Sequence, residues 1–213
     1  INRGDIEKIL SNVNKKHGDK LGLSKASDLK FTFSSTGIDT IDSFIGGYPQ
    51  GSMILLYGPY GVGKSTLAAL AVREAQKEGK VCLWIDAEGS LNSDYLASLG
   101  VDTDKLYVTR GDTLETNADA ILNTIQNNAV DLIIYDSIAA VASHREKYEK
   151  KDNAIKELTD ETIALIPNVM SRLHRNISTD IARKKITVIF LSQVRSNISL
   201  ASAYTKVTAQ GGN

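Results

Sequence analysis

The sequence predicts a doubly wound α/β fold, in which helices cover both faces of a mainly parallel sheet. From residue 53 onward, short and nearly continuous apolar runs alternate with stretches of helical spacing. Strands buried on both faces are apolar throughout, whereas half-exposed strands alternate apolar and polar residues. A glycine-rich turn also joins the first apolar run directly to a helical stretch. Together these observations predict the α/β class.

Five apolar runs are predicted to be the strands of this sheet. They are residues 53–57, 81–86, 106–109, 131–136 and 186–192. Helices are predicted over residues 64–77 and 91–100, and where Leu114, Ala118, Ile121, Leu122 and Ile125 share one helical face. A longer helical stretch, 154–183, contains Pro167, which should kink the helix or separate two helices.

A short amphipathic helix is predicted before this core, over residues 4–16. Its apolar positions follow the i, i+3, i+4, i+7 pattern and are Ile6, Ile9, Leu10 and Val13. Such a helix either packs on its own domain or docks on a neighbouring copy. The pattern alone favours the first interpretation, because most amphipathic helices pack on their own domain.

Composition restricts the function classes. The 213 residues suit one domain, or one domain with a short arm. Lysine plus arginine and aspartate plus glutamate both number 25, so a chain-wide basic surface for nucleic acid is excluded and any such contact must come from local loops. No apolar run approaches the roughly 18–20 residues of a membrane span. Cys82 is the only cysteine, which fits a reducing, cytoplasmic setting.

The strongest motif is the glycine-rich turn, which matches G-x-x-x-x-G-K-[ST] without a mismatch. Its residues are Gly58, Pro59, Tyr60, Gly61, Val62, Gly63, Lys64 and Ser65, and Thr66 follows in the helix. The glycines let successive N–H groups face phosphate oxygens, and the helix N-terminus adds positive charge. Lys64 can reach the β- and γ-phosphates, and the Ser65 hydroxyl can bind Mg²⁺. The motif predicts a site for ATP and Mg²⁺.

Acidic residues follow two of the other strands. Asp136 ends the run 131–136 and is predicted to order the metal beside Ser65, the alternative being a solvated carboxylate. Asp86 and Glu88 follow the run 81–86, at the edge where ligands gather in α/β sheets. One of them is expected to orient the water that attacks ATP. In an extended segment they would point the same way, so spacing alone does not choose between them.

Taken in order, these motifs resemble the RecA family of DNA recombinases. The matching segments are 35–42, 46–47, 49–51, the phosphate loop 58–65, 78–80, 85–88, 95, 99–102, 136–140, 190–195 and 211–213. The resemblance implies a RecA-like P-loop core at 31–213 and an oligomerisation helix with its linker at 1–30. It selects Glu88 as the catalytic glutamate. It also implies that Tyr95 stacks on adenine and that Gln193 senses the γ-phosphate.

The function that the resemblance implies is that of a DNA-dependent ATPase in recombination and repair. Copies of the chain would form a helical filament on single-stranded DNA and exchange strands with homologous duplex. Two other functions stay open: a RecA-core motor such as a ring helicase, and an ATP-binding filament scaffold without strand exchange. The intact residues Lys64, Ser65, Glu88 and Asp136 favour an active ATPase over a scaffold.

Two loops are expected to contact DNA. The first follows Ala140 and offers Arg145, Lys147, Lys150 and Lys151 to phosphates; its alternative is a solvated surface loop. The second, from residue 195 to about residue 210, carries Arg195, Tyr204 and Lys206 and ends near Gly211 and Gly212. Its alternative is an exposed tip without a role.

The chain departs from the family pattern at three places, one of which is that the first DNA loop, after Ala140, is longer than usual. Asn92 stands where the family usually has an acidic residue near the nucleotide. Family members also continue beyond the second loop with further strands and a C-terminal domain, so the chain is expected to be a truncated representative. Basic residues of that further part are expected to reach the ATP of a neighbour, which puts catalysis by these 213 residues alone in question.

Overall fold

The computed structural model describes residues 3–17, 26–28, 30–138, 140, 165–197 and 206–209. The chain divides into two compact units, Ile1–Thr32 and Phe33–Asn213. The first contains helix α1, Arg3–His17, and a 3₁₀ turn, Ala26–Asp28. The predicted amphipathic helix is thus confirmed, and its side chains Ile6, Ile9 and Val13 are exposed.

The second unit is built on a parallel sheet. Its strands are β3 (Met53–Gly58), β4 (Cys82–Asp86), β5 (Leu106–Thr109), β6 (Leu132–Asp136) and β7 (Thr187–Asn197). Their order is β3-β7-β6-β4-β5, and every neighbouring pair is parallel. A short antiparallel ribbon of β1 (Phe33–Ser34) and β2 (Tyr48–Pro49) precedes it. The predicted fold class is confirmed.

Helices connect these strands and cover both faces of the sheet. They are α2 (Asp39–Ile45), α3 (Lys64–Lys77), α4 (Ser93–Ser98), α5 (Leu114–Gln126) and α6 (Leu165–Lys184). Among the described helices, none is long and apolar enough to cross a membrane.

Alternate residues of each strand enter two separate cores. Along β6, Leu132 and Ile134 pack with the alanine-rich face of α3, whereas Ile133 and Tyr135 pack with α5 and α6. Both faces of the strand are therefore apolar, which explains why the strands read as continuous hydrophobic runs. The Tyr135 ring also meets Phe190 of β7 edge to face, with 6.0 Å between the ring centroids.

The segment before the phosphate loop is fixed by hydrogen bonds around Asp42. Its carboxylate accepts from the Ser35 hydroxyl at 2.5 Å and from the Thr36 amide and hydroxyl at 2.9 and 2.7 Å. Arg73 of α3 donates to the Gly37 carbonyl at 3.3 Å. A Cβ at Gly37 would lie 2.9 Å from the Cβ of Leu70, so this turn requires glycine to pack on α3.

One predicted element differs from the structure. The last strand was expected to end at Ser192 and give way to a loop, but β7 runs to Asn197 and pairs antiparallel with β8, Lys206–Ala209. The polar side chains there hide the strand signal, because the pairing rests on backbone hydrogen bonds. Pro167 lies near the first described residues of α6, and the helical stretch that was expected to kink or break there includes residues outside the described part, so this expectation stays a prediction. The predicted helical residues 154–164 lie outside the described part.

Parallel pairing aligns the carboxyl ends of β3, β4 and β6 with a point inside β7. Gly58 of β3 is level with Gln193 of β7, and Asp86 of β4 is level with Asp136 of β6. Residues that are distant in sequence therefore meet at one edge of the sheet, where open α/β sheets bind their ligands.

Candidate nucleotide site

The phosphate loop lies between β3 and α3 at this edge. Gly61 and Gly63 have φ of +78° and +89°, which L side chains rarely adopt. A Cβ at either position would meet nothing within 4 Å, so conformation rather than crowding requires glycine here. The loop residues 59–63 are exposed, and α3 begins with the Leu67 amide bonded to the Gly63 carbonyl at 2.9 Å. This is an open cradle of backbone groups at a helix N-terminus, which suits phosphate.

Lys64 folds its side chain back over the loop. Its Nζ donates to the carbonyls of Gly58 and Pro59 at 3.1 and 2.8 Å. Phosphate oxygens are charged acceptors and bind an ammonium more strongly than neutral carbonyls do. The lysine is thus held at the mouth of the cradle by contacts that a phosphate group can replace.

Ser65 and Asp136 form the second part of the site. The Ser65 hydroxyl donates to Oδ2 of Asp136 at 2.8 Å, across 71 positions of sequence. Burial raises the pKa of the Asp136 carboxyl to about 6, the Ser65 hydrogen bond opposes the rise, and the negative charges of Glu88 and Asp86 add to it. Adjacent hydroxyl and carboxylate oxygens in a site with excess negative charge fit Mg²⁺, a hard cation that takes oxygen ligands.

Glu88 lies beside this pair and joins three strand ends. Its Oε1 accepts from the Ser137 hydroxyl at 2.6 Å and from Nε2 of Gln193 at 3.1 Å. The amides of Ala87 and Glu88 both donate to the Asp136 carbonyl, at 2.7 and 3.2 Å. The exposed carboxylate is therefore oriented next to the predicted metal ligands, with Oε2 turned to no hydrogen-bond donor among the described residues.

Asp86 has a different environment, although it lies only two residues away. It is 1% exposed, and its carboxylate accepts from the amides of Ser90 and Leu91 and from the guanidinium of Arg110. The strand ends at Asp86, so the extended geometry that would aim both acids the same way does not continue to Glu88. With its oxygens already occupied, Asp86 is poorly suited to bind a water, which leaves Glu88 as the better base.

Tyr95 and Thr66 meet on the side of α4. The two hydroxyl oxygens lie 2.7 Å apart, and the Tyr95 side chain is half exposed. Asn92, the departure from the family pattern, caps α4 by accepting from the Tyr95 amide at 2.8 Å. Hydrogen bonds thus hold Tyr95 at its backbone amide and at its side-chain hydroxyl, and the hydroxyl contact places the ring next to the first turn of α3.

Two residues of this edge were not predicted as site residues. Ser137 orients Glu88, and Arg110 binds Asp86. Both follow the carboxyl end of a strand, and that position was the only sequence signal that could have indicated them.

The predicted DNA contacts are mostly outside the described residues. This applies to Arg145, Lys147, Lys150, Lys151, Tyr204, Gly211 and Gly212. Arg195 lies in β7 and Lys206 lies in β8. In the antiparallel register of these strands, Arg195 is opposite Thr208 and Lys206 is opposite Asn197. Their DNA-binding role stays a prediction.

Comparison with known proteins agrees with this geometry. A sequence model described as the RecA N-terminal domain matches residues 4–213. Protein RecA of Prochlorococcus marinus strain MIT 9215 is 38% identical over 197 residues, which are 92% of this chain and 52% of that protein. Protein RecA of strain NATL1A is 36% identical over 99% of the chain and 55% of its own length. Protein RecA of Mycoplasma mycoides is 36% identical over 91% and 55%. The chain spans about half the length of these curated relatives.

Proposed function

Because the chain belongs to the RecA family, we propose that it is the ATP-binding core of a recombinase that forms filaments on single-stranded DNA and promotes homologous pairing and strand exchange. The observation that supports this most is the convergence of Glu88, Ser137 and Gln193 beside the Ser65–Asp136 pair. The residues proposed as base, metal ligands and nucleotide sensor thus lie in one hydrogen-bonded network, which supports the proposal.

In this proposal the phosphate loop from Gly58 to Thr66 binds the triphosphate of ATP. Ser65 and Asp136 hold Mg²⁺, which would neutralise charge on the phosphates. Glu88 accepts a proton from the attacking water, because its carboxylate is exposed and oriented by Ser137. Tyr95 offers its half-exposed ring to adenine, and its hydroxyl contact with Thr66 fixes the ring beside the loop.

Gln193 would couple the nucleotide to DNA. It contacts Glu88 in the site, and it belongs to β7, which continues to Asn197 and pairs with β8. The predicted second DNA loop, from residue 195 to about residue 210, includes the end of β7 and β8. A contact between Gln193 and the γ-phosphate would therefore change the root of that loop, a local switch of the kind that phosphate contacts drive in other nucleotide-binding proteins. Base pairing, rather than the protein, would read the DNA sequence.

Filament formation would use the N-terminal helix. Three apolar side chains of α1 are exposed, Ile6 at 44%, Ile9 at 59% and Val13 at 37%. An apolar stripe of this kind can dock on another copy. A head-to-tail contact between copies need not close and can continue as a helical filament.

The first test is ATP hydrolysis by the full-length protein without DNA, with single-stranded DNA and with duplex. We expect strong stimulation by single strands and none in Glu88→Gln. Electron microscopy of the same samples should show filaments. An ATPase rate that does not change with DNA, or closed rings on DNA, would instead indicate a different RecA-core ATPase. The names of the relatives do not support that alternative.

A further inference from the structure

The loop that carries Glu88 packs on the cores only at its ends, through Ala87 and Leu91. It joins β4 to α4 over residues 87–92, and Glu88, Gly89 and Ser90 are exposed. Gly89 adopts a left-handed φ of +67°. At its start the loop is tied by the amides of Ala87 and Glu88 to the Asp136 carbonyl. The position of Glu88, in the exposed middle of the loop, therefore depends on how both ends are held, and at the far end polar contacts act together with the packing of Leu91.

Asp86 supplies those contacts. Its carboxylate accepts from the Ser90 amide at 3.1 Å and from the Leu91 amide at 3.2 Å, so it closes the loop on the strand from which the loop starts. The side chain is 1% exposed. A buried carboxylate is stable in its charged form only when other groups replace the lost water.

Arg110 is the charged group that faces this carboxylate. It follows β5; its Nε donates to Oδ2 of Asp86 at 3.0 Å, and its Nη2 forms an ion pair with the same oxygen at 2.9 Å. Among the described residues, Asp86 is its only hydrogen-bonding partner. Although the Arg110 side chain is 59% exposed, its hydrogen bond and ion pair to Oδ2 restrain the rotation of a carboxylate that is itself buried. Rotation of that carboxylate would release the Ser90 and Leu91 amides.

We infer that Arg110 and Asp86 form a clamp that positions Glu88, which makes Arg110 a positioning residue for ATP hydrolysis. The inference rests on the proposed function. Strand β5 lies four strand spacings from β3, about 19 Å across the sheet at about 4.8 Å each. Arg110 is thus far from the strand that leads into the phosphate loop, and it acts on the reaction through Asp86 and the Glu88 loop.

The clamp should affect turnover rather than nucleotide binding. In the full-length protein with single-stranded DNA, Arg110→Ala should lower kcat between about tenfold and about a hundredfold, because small displacements of a catalytic group are costly. The KM for ATP should stay within about twofold. Arg110→Lys should recover part of kcat, since lysine keeps the charge but not the planar fork.

Arg183→Ala is a matched control. Arg183 is also an exposed arginine paired with an aspartate, Asp180, at 2.7 Å, but this pair lies on α6. It should leave kcat and KM unchanged. A wild-type kcat in Arg110→Ala, or a rise in KM without a fall in kcat, would overturn the inference.

Hydrogen exchange separates the clamp from the proposed function. The amides of Ser90 and Leu91 should exchange faster in Arg110→Ala than in wild type or Arg183→Ala. This readout needs no turnover, so it decides the clamp even if the wild-type protein shows no DNA-stimulated ATPase and the proposed function fails. Unchanged exchange at both amides overturns the clamp, whatever the turnover.

Discussion

Gln193 of β7 donates from Nε2 to Oε1 of Glu88 across 3.1 Å, although 105 positions of sequence separate the two residues. The same oxygen accepts the Ser137 hydroxyl at 2.6 Å. Oε1 of Glu88 thus accepts two hydrogen bonds. One comes from Gln193, the predicted sensor of the nucleotide, and the other comes from Ser137, which orients the carboxylate. This geometry allows catalysis and coupling to be tested separately.

Replacing Glu88 with Gln should abolish turnover and preserve binding. We expect kcat for single-strand-stimulated hydrolysis to fall between about a hundredfold and about ten-thousandfold, because the amide cannot accept a proton from water. Binding of a fluorescent ATP analogue should not change, because Glu88 is not part of the phosphate loop. Glu78→Gln, a surface glutamate paired with Lys80, is the matched control and should behave as wild type. A Glu88→Gln protein with normal kcat would move the role of the base to another group.

Gln193→Ala and Ser137→Ala should differ in their effect on DNA. Both variants lose a bond to Glu88 Oε1, so both should lower kcat. Only Gln193 lies in the strand that leads to β8, so only its loss should remove the increase in single-strand affinity that ATP produces. Fluorescence anisotropy with a labelled oligonucleotide measures the ratio of the single-strand affinities with and without ATP. If the ratio stays normal in Gln193→Ala, the coupling hypothesis fails.

The hydroxyl contact between Thr66 and Tyr95 should contribute to nucleotide affinity. Thr66→Val and Tyr95→Phe each remove one side of the 2.7 Å contact and keep the shape of the side chain. Each should weaken ATP binding about fivefold, which corresponds to about 1 kcal/mol. Because they act on one bond, the double variant should be no weaker than either single variant. Tyr107→Phe, an exposed tyrosine on β5, is the control. Additive losses in titration calorimetry would show that the contact is not what fixes the ring.

The phosphate loop could be predicted because its chemistry is local. Gly61, Gly63, Lys64 and Ser65 act within one turn, so their spacing is fixed by the backbone geometry that binds phosphate. The position of Asp136 could also be predicted from the sequence, since the carboxyl ends of buried parallel strands share one edge of the sheet. These parts of the site need no knowledge of which strand lies next to which.

The remaining contacts depend on strand order, which sequence patterns do not specify. Glu88 meets Ser137 because β4 and β6 are neighbours, and Arg110 reaches Asp86 because β5 lies next to β4. Spacing did not choose between Asp86 and Glu88; the family resemblance selected Glu88, and the different environments of the two carboxylates became visible only in their hydrogen bonds. The extension of β7 was missed because its pairing with β8 is made by backbone hydrogen bonds, which polar side chains do not signal.

Cys82 should report on unfolding of the core. Its thiol is fully buried, and burial raises its pKa to about 12, so at pH 8 the thiol stays protonated and unreactive. Ellman's reagent at pH 8 should therefore modify no thiol in the native 213-residue chain and one thiol in guanidinium chloride. Raising the pH from 8 to 9 leaves the native thiol below its pKa, so the native chain should remain unlabelled. Rapid native labelling would mean that β4 opens without global unfolding.

Gly47 and Gly79 allow backbone strain to be separated from steric conflict. Both have positive φ, +104° and +75°, so alanine is strained at either position. A Cβ at Gly79 meets nothing within 4 Å, whereas one at Gly47 would lie too close to the Ser34 carbonyl oxygen. Gly79→Ala should lower the free energy of unfolding by about 1 kcal/mol, and Gly47→Ala by about 3 kcal/mol, because β1 must move away from β2. Urea unfolding of the 213-residue chain measures the free energy of unfolding of both variants. If the m-value does not change, the difference between them is one of stability. Equal losses would show that the β1–β2 ribbon yields to the added methyl group without cost.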